Sequence, residues 1–453
     1  MSSPTASLPQ NVDVAEVIDG QKRNRFLTSI VLLGFVAQLG DGYDLAAVAY
    51  AAPGLVRDWH IERELLAPVF SAGLFGMMVG ALGFGWLGDR FGRRIAIVLA
   101  ALFCGVFTLA CAFAPSLWAL GILRFMTGVG LGGLPANTVA LMAEYAPKRS
   151  RAMLITLMFM GITFGGTLPA FVTALLPGQG WQVLFLVGGV VPIVAAVLNL
   201  LFMPESLKFL ALRARDRQQL VRNVRRLRPD LTVSEDANFI FPRRGDGVFR
   251  FAKLFQADLR RMTPLVWVLF ISNLMANFFL NSWMPTLLRD SGLSATDAAL
   301  TNSLYYVGGV FGGLTISHFL DRKGIAVVGV FMLAACACVA GLGQVHDVPF
   351  ALQGAVLLVG VTVLGVQLAL NAIPGLTYPT SIRANGTGWA LGVGRIGAIM
   401  GPLIGGQLIH MHLPLEELFL APVVPLFIGA CAALLLVPMA RTRWAGDVDE
   451  MQH

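Results

Sequence analysis

Twelve apolar blocks divide this sequence: Phe26 to Ala51, Ala67 to Gly88, Ile95 to Phe113, Leu117 to Met142, Ala152 to Leu176, Trp181 to Met203, Pro264 to Leu288, Ala298 to Leu320, Ile325 to Gly343, Pro349 to Ala372, Ala384 to Ile409 and Leu418 to Met439. Each is near or above the roughly 20 residues that a helix needs to cross about 30 Å of hydrocarbon. No water satisfies the backbone there, so such blocks must fold as helices. Only 13% of the residues are charged and 56% are hydrophobic, whereas soluble domains carry about 25% charge. The expected fold is an all-α membrane protein with twelve transmembrane helices in two six-helix bundles. Its segments are a tail (1–25), a first bundle (26–203), a central loop (204–262), a second bundle (263–440) and a second tail (441–453).

Charge placement orients these spans. Of the 33 Lys and Arg, 28 fall on the side shared by both tails and the central loop, and only Arg57, Arg63 and Arg289 fall opposite. That asymmetry is the positive-inside signature and puts both termini in the cytoplasm, with the cell (inner) membrane as the expected location. It also accounts for the net charge of +7 without a nucleic-acid surface. The central loop reads as a linker with a short helix through Arg213–Arg228, its basic residues facing anionic headgroups. Residues 1–25 lack an apolar core before a small-residue cleavage site, so Phe26 onward reads as a retained first span. The five cysteines all lie in apolar blocks, as small buried hydrophobes do. No Lys is followed by Ser or Thr, so no phosphate-binding loop exists, and no metal-ligand spacing appears. An enzyme is not expected, nor a cofactor, nor a metal.

The two sets of six are copies of one design. Shifting the sequence by 232 residues matches Gly76 to Gly308, Gly80 to Gly312, Asp89 to Asp321, Arg90 to Arg322, Gly128 to Gly360, Arg151 to Arg383 and Gly165 to Gly397. Duplication implies two bundles related by pseudo-symmetry, with a site between them that opens alternately to each side.

The stretch GFGWLGDRFGRR (Gly83 to Arg94) joins spans two and three, with Asp89, Arg90, Arg93 and Arg94 placed to pair with neighbouring cytoplasmic ends and latch one conformation. This stretch resembles the signature loop of the major facilitator superfamily, and the resemblance covers nearly the whole chain. RFMTGVGLGGLPANTVALMAEYAPKRSR (Arg124 to Arg151) is similar to that superfamily's fourth-span motif, with Glu144 and Arg151 at its cytoplasmic end. Asp321, Arg322 and Arg383 take the equivalent gating places in the second half. Pro204-Glu205-Ser206 also occurs in the sugar and organic-acid branches. Within the superfamily, DGYDLAAVAYAAPGL (from Asp41), NSWMPTLL (Asn281 to Leu288) and GTGWALGVGRIGAIMGP (Gly386 to Pro402) resemble the aromatic acid:proton symporters, the 4-hydroxybenzoate and benzoate transporters. The resemblance implies a monomeric secondary transporter that takes up an aromatic carboxylic acid such as 4-hydroxybenzoate, benzoate or protocatechuate, with the proton gradient as energy source.

Asp41 and Asp44 are three residues apart and share a helix face. Asp41 lies roughly 15 Å inside the outer end of its span, and Arg124 roughly 10 Å inside the start of span four, so each reduces the cost of burying the other. Two carboxylates beside one cation cannot both ionise cheaply, so the pair is expected to titrate as a unit and carry the coupled proton. A static ion pair between spans one and four is the alternative. Arg395, about 16 Å into span eleven with no acidic residue in that span, suits a substrate carboxylate; snorkelling or backbone bonding is its alternative. Asn273, Asn277 and Asn281 recur every four residues in span seven, a polar stripe expected to line the cavity. Trp283, Tyr305 and Tyr306 are placed to stack on a ring or to sit in the interfacial aromatic belt. Asn137, Gln367 and Asn371 complete the binding candidates. Rival functions are transport of another organic anion (a muconate-like dicarboxylate, a sugar acid or a phenylpropanoid acid), export of an aromatic compound, or a transporter-like membrane sensor.

Overall fold

The computed structural model describes residues 11–21, 24–176, 178–211, 217–231, 237–240, 251–256, 259–345, 348–379 and 382–450. Among the described residues twelve long helical segments follow one another: α1 (Arg25–Trp59), α2 (Ala67–Phe91), α3 (Arg93–Cys111), α4 (Leu117–Tyr145), α5 (Arg151–Leu175), α6 (Gln182–Phe202), α7 (Leu259–Asp290), α8 (Ala295–Lys323), α9 (Ala326–Gln344), α10 (Phe350–Leu370, with a π turn at Gly360–Leu364), α11 (Arg383–His410) and α12 (Val423–Glu450). Among the described residues, ten helices are long and apolar enough to cross a membrane. The remaining two segments, α8 and α11, match them in length. They carry the Asn302–Tyr306 polar run and the Gly-rich Arg395 segment, which dilute their apolarity.

Local signals set the helix ends. Asn24 caps α1 by accepting the Leu27 N–H at 2.7 Å, and Ser294 caps α8 by accepting the Asp297 N–H at 3.1 Å. Gly92, at φ 106°, breaks α2 from α3 in a conformation that L side chains rarely adopt, and a Cβ there would strike the Glu205 carboxylate.

The first half packs α1 on α5 and α6, α2 on α4, and α3 on α4 and α6; the second packs α7 on α11 and α12, α8 on α10, and α9 on α12. Glycines set the closest approaches, because between apolar helices in lipid small residues let backbones meet. Gly76 faces the Phe125 carbonyl and Gly80 that of Val129; Gly308 faces Leu357 and Gly312 faces Val361. Each second-half contact is its first-half counterpart moved by 232 residues, so the duplication seen in sequence is also a duplication of packing. The same shift carries Arg151, whose guanidinium donates to the Ala146 carbonyl at 3.2 and 3.3 Å, onto Arg383, which donates to Tyr378 at 3.4 Å.

The described residues of the tail and central loop pack together at the end of the bundle where α1 begins, the terminal end. Residues Asn11–Asp13 pair in parallel with Asn238–Ile240. A helix spans Arg217–Leu227 within the expected Arg213–Arg228; residues 213–216 lie outside the described residues. Its Leu220, Val221, Val224 and Leu227 are buried while Arg222 and Arg226 are exposed. Asn24 donates to Leu227 O at 2.8 Å, Gln21 to Tyr145 O at 2.7 Å, and Asn223 to the Tyr145 hydroxyl at 3.2 Å. The described parts of tail and loop are therefore docked on the first half rather than strung as linkers.

The halves meet at the opposite, far end. Ser71 donates to Ile399 O at 2.9 Å, Asn302 donates to the Tyr50 hydroxyl at 2.8 Å, and Phe70 meets Trp283 edge to face at 5.2 Å. The Tyr306 ring lies against Gly166. Among the described residues an Arg63–Asp290 ion pair and a Glu64–His410 polar contact at 2.9 Å bridge the halves there. These contacts close the far end.

Candidate functional site

The central residues come from α1, α4, α7, α10 and α11. Asp44 is wholly buried and accepts from Arg124 Nη1 at 2.8 and 2.7 Å, one contact to each carboxylate oxygen, and from the Thr108 hydroxyl at 2.8 Å. Arg124 is 2% exposed. Desolvating both ions is costly, and only close geometry with extra donors offsets it. Thr108, a lone hydroxyl in α3, supplies one such donor.

Asp41 does not share Arg124, contrary to the expectation of two carboxylates on one cation. It is 1% exposed, its Oδ1 accepts no hydrogen bond from any described group, and the positive charge acting on it is that of Arg395. Arg395 in turn has no acid on its own helix. It is half-buried, feels Asp41 across the bundle boundary, and donates to Met77 Sδ of α2 at 3.6 Å. The centre thus holds two acids and two guanidiniums unequally placed: Asp44 and Arg124 are bonded within the first half, whereas Asp41 and Arg395 lie on different halves and influence one another through charge, with no ion pair between them among the described residues. Sequence depth could not reveal the second pair, because its partners lie more than 350 positions apart in different bundles.

The asparagine stripe of α7 faces other polar groups of the second half. Asn273 donates to Gln367 Oε1 at 2.8 Å, the Tyr305 hydroxyl donates to Asn277 Oδ1, and Asn281 donates to the Tyr306 hydroxyl at 2.7 Å. Asn273 Oδ1 is buried and has no donor among the described residues.

Three binding candidates belong elsewhere. Asn137 packs at the terminal end, where it donates to Phe84 O at 3.0 Å and Gly133 O at 2.9 Å and accepts from Arg93 at 3.0 Å. One amide on a glycine-lined helix is as useful for binding backbone as for binding ligand. Asn371 is exposed and donates to Leu368 O at 3.3 Å, capping its own helix end. Trp283 is neither in an interfacial belt nor open to a ring: it is fully buried and its indole N–H donates to Pro402 O at 3.1 Å.

The gating candidates of the first half gather at its terminal end. Asp89 pairs with Arg93 across the Gly92 break. Arg90 lies 5.6 Å over the Trp86 ring. Arg94 donates through its side chain to Leu200 O and through its backbone N–H to Glu205 at 3.2 Å. Glu144 accepts from the Ser206 hydroxyl and the Lys208 N–H, and Tyr145 donates to Glu205 O at 2.6 Å. Burial holds the Glu205 carboxyl above its ordinary value, opposed by the N–H groups of Ser206 and Arg94. Glu205 and Tyr145 join this network although neither was singled out for it; the only sequence signal was the Pro-Glu-Ser run. Arg322 is exposed, and the Asp321 side chain lies outside the described residues.

Comparisons with known proteins place this geometry. The profile of the Major Facilitator Superfamily matches residues 31–402 and 266–449. The 4-hydroxybenzoate transporter PcaK of Pseudomonas aeruginosa is 37% identical over 96% of this chain and 98% of its own length. The gallate transporter of Pseudomonas putida is 35% identical over 96% of each, and the benzoate transport protein of Acinetobacter baylyi 29% identical over 95% and 93%. Among solved structures, a bacterial homolog of the human lysosomal transporter Spinster, inward-facing and occupied, aligns with a TM-score of 0.70 over 92% of this chain and 98% of that one, at 15% identity. The xylose transporter XylE of E. coli, partially occluded and inward open, aligns with a TM-score of 0.66 over 93% and 98%, at 16% identity. The chain belongs to the major facilitator superfamily and, within it, to the family of aromatic acid transporters, membrane carriers rather than enzymes.

Proposed function

We propose that this protein takes up an aromatic carboxylic acid of the 4-hydroxybenzoate, benzoate or protocatechuate kind together with a proton, by alternating access between its two halves. The acid class follows the functions of the relatives. The terminal end, which carries the basic loops, faces the cytoplasm, and the protein works as a monomer in the cell membrane. No cofactor is needed, since the proton gradient supplies the driving force.

The Asp41–Arg395 facing carries this reading. Arg395 without substrate is balanced by Asp41 from the other half. A substrate carboxylate, which suits the guanidinium fork, takes Asp41's place, and Asp41 then sits in low dielectric with no counter-charge. A proton removes that cost. Before binding, the site holds Asp41⁻ and Arg395⁺; afterwards it holds protonated Asp41, Arg395⁺ and the bound anion. Net charge is zero in both, so neither state strands a charge in the membrane. Asp44, bonded to Arg124 and Thr108, serves as the fixed support beside the exchanging pair.

The test is uptake of labelled aromatic acids into cells or proteoliposomes, with and without a protonophore, for the parent and for Asp41→Asn. Accumulation should collapse with the gradient, and Asp41→Asn should abolish accumulation while retaining exchange of internal for external substrate. Gradient-independent accumulation removes the coupling, and failure to carry any ring acid removes the substrate class.

A further inference from the structure

Position 273 in α7 is the equivalent of position 41 in α1 under the 232-residue shift, and the same shift carries the Gly165–Leu39 contact onto Gly397–Ile271. Pseudo-symmetry therefore presents Asp41 and Asn273 at one depth from opposite sides of the centre. One is an acid, the other an amide with an unusual economy. Asn273 is wholly buried, its Nδ2 is used on Gln367, and its Oδ1 meets no described donor. Such an orphaned acceptor costs stability that a ligand donor would recover. Gln367 has its Oε1 taken by Asn273, so what it offers a further partner is its Nε2 donors. One free acceptor beside one set of donors is the complement of a hydroxyl group, which both gives and receives a hydrogen bond.

Height along the bundle fits the same ligand. Gly397 packs on Ile271 and Gly401 on Met275, so Arg395 is level with Leu269 and Asn273 lies one turn, about 6 Å, beyond it. That is close to the span of a benzene ring from its carboxylate to a para oxygen. We infer that Asn273 and Gln367 read a phenolic hydroxyl para to the carboxylate held by Arg395: the hydroxyl donates to Asn273 Oδ1 and accepts from Gln367 Nε2. The inference rests on the transport function proposed above. It also selects against dicarboxylates, whose second anion would confront the Asn273 oxygen.

The experiment measures initial-rate KM for labelled 4-hydroxybenzoate, 3-hydroxybenzoate and benzoate in the parent, in Asn273→Leu, and in Gln367→Met, which preserves length if the leucine variant fails to insert. The parent should favour the para-hydroxy acid over both others. Either substitution should shift the KM ratio of 4-hydroxybenzoate to benzoate against the hydroxy acid by roughly tenfold, the worth of one buried hydrogen bond. An unchanged ratio in both variants, or a parent indifferent to the para-hydroxyl, overturns the hydroxyl reading while leaving aromatic-acid transport standing. A parent that carries none of the three acids overturns both.

Discussion

The buried Asp44–Arg124 pair makes a quantitative prediction about which partner is worse to lose. Arg124 is 2% exposed and Asp44 wholly buried, at 2.7 Å. Removing one member of such a pair costs about 3–5 kcal/mol, because the survivor's charge stays desolvated. Asp44→Asn keeps an oxygen for the Thr108 hydroxyl and for one Arg124 N–H, so it isolates the charge. Arg124 cannot shed its proton, and the whole penalty should appear, roughly two to four orders of magnitude in the folded ratio. Arg124→Gln leaves Asp44, which escapes by binding a proton, so its cost should be smaller and should shrink further as pH falls. The double variant Asp44→Asn/Arg124→Gln buries two neutral groups and should regain most of the loss. The assay is the thermal midpoint of detergent-solubilised protein, all variants heated at one rate because such unfolding is often irreversible. A double variant no more stable than Asp44→Asn, or an Asp44→Asn protein as stable as the parent, would refute this reasoning.

Three further outcomes follow from other parts of the fold. Glu205→Gln keeps an acceptor for the Ser206 and Arg94 N–H groups but never ionises. A carboxyl raised by burial favours folding while protonated, a contribution lost as pH rises through the folded value. The variant should therefore gain on the parent in thermal midpoint as pH rises above the ordinary carboxylate range, and a constant offset would contradict the burial argument. Asp290→Asn unlocks Arg63 at the far end, so a cysteine placed at Ala67, buried beneath Gly406, should label faster with a membrane-impermeant maleimide. Equal labelling rates would show that this ion pair does not hold the far end shut. Gly165→Ala and Gly397→Ala should damage folding alike, since each Cβ would drive into a backbone carbonyl, of Leu39 and of Ile271; a harmless change at one site only would break the equivalence of the halves.

The spans and the duplication were legible because lipid imposes one rule on every block and because Gly, Pro and charge resist drift at packed positions. Asp44–Arg124 was legible only as part of an Asp41/Asp44 couple sharing Arg124 within one bundle, since the depth argument was made for Asp41. The same arithmetic misassigned Asp41, since depth says nothing about a partner in the other bundle. Asn137 and Trp283 failed for a related reason: residue type marks a polar or aromatic need, and a carbonyl such as Phe84 O or Pro402 O meets it as well as a ligand does. The far-end polar contacts went unseen because Arg63, Glu64 and Asp290 lie outside the apolar blocks, where charge predicts topology rather than contact. The docking of the tail on the central loop joins segments more than 200 residues apart, beyond any local pattern.

What distinguishes the halves is the chemistry laid on a shared backbone. Position 41 is an acid and its counterpart 273 an amide; Asp44 corresponds to Ala276, and Arg395 to Thr163. The first half thus holds both central acids and the fixed Arg124. The second holds neutral amides and tyrosines, which lose little by being dry once hydrogen-bonded, and a single cation supplied from α11. A proton is best handled where acids cluster, and a neutral ring is best held where no uncompensated charge must be desolvated around it. The charged groups of the two inventories act on one another through Asp41 and Arg395, across the boundary along which alternating access moves the halves. If that contact is the coupling element, Arg395→Lys should separate the functions: a lysine keeps the charge that balances Asp41 but lacks the planar fork. KM for the aromatic acid should rise at least tenfold, while whatever accumulation remains stays dependent on the proton gradient. An Arg395→Lys protein that binds normally yet accumulates without a gradient would place the coupling elsewhere in the first half.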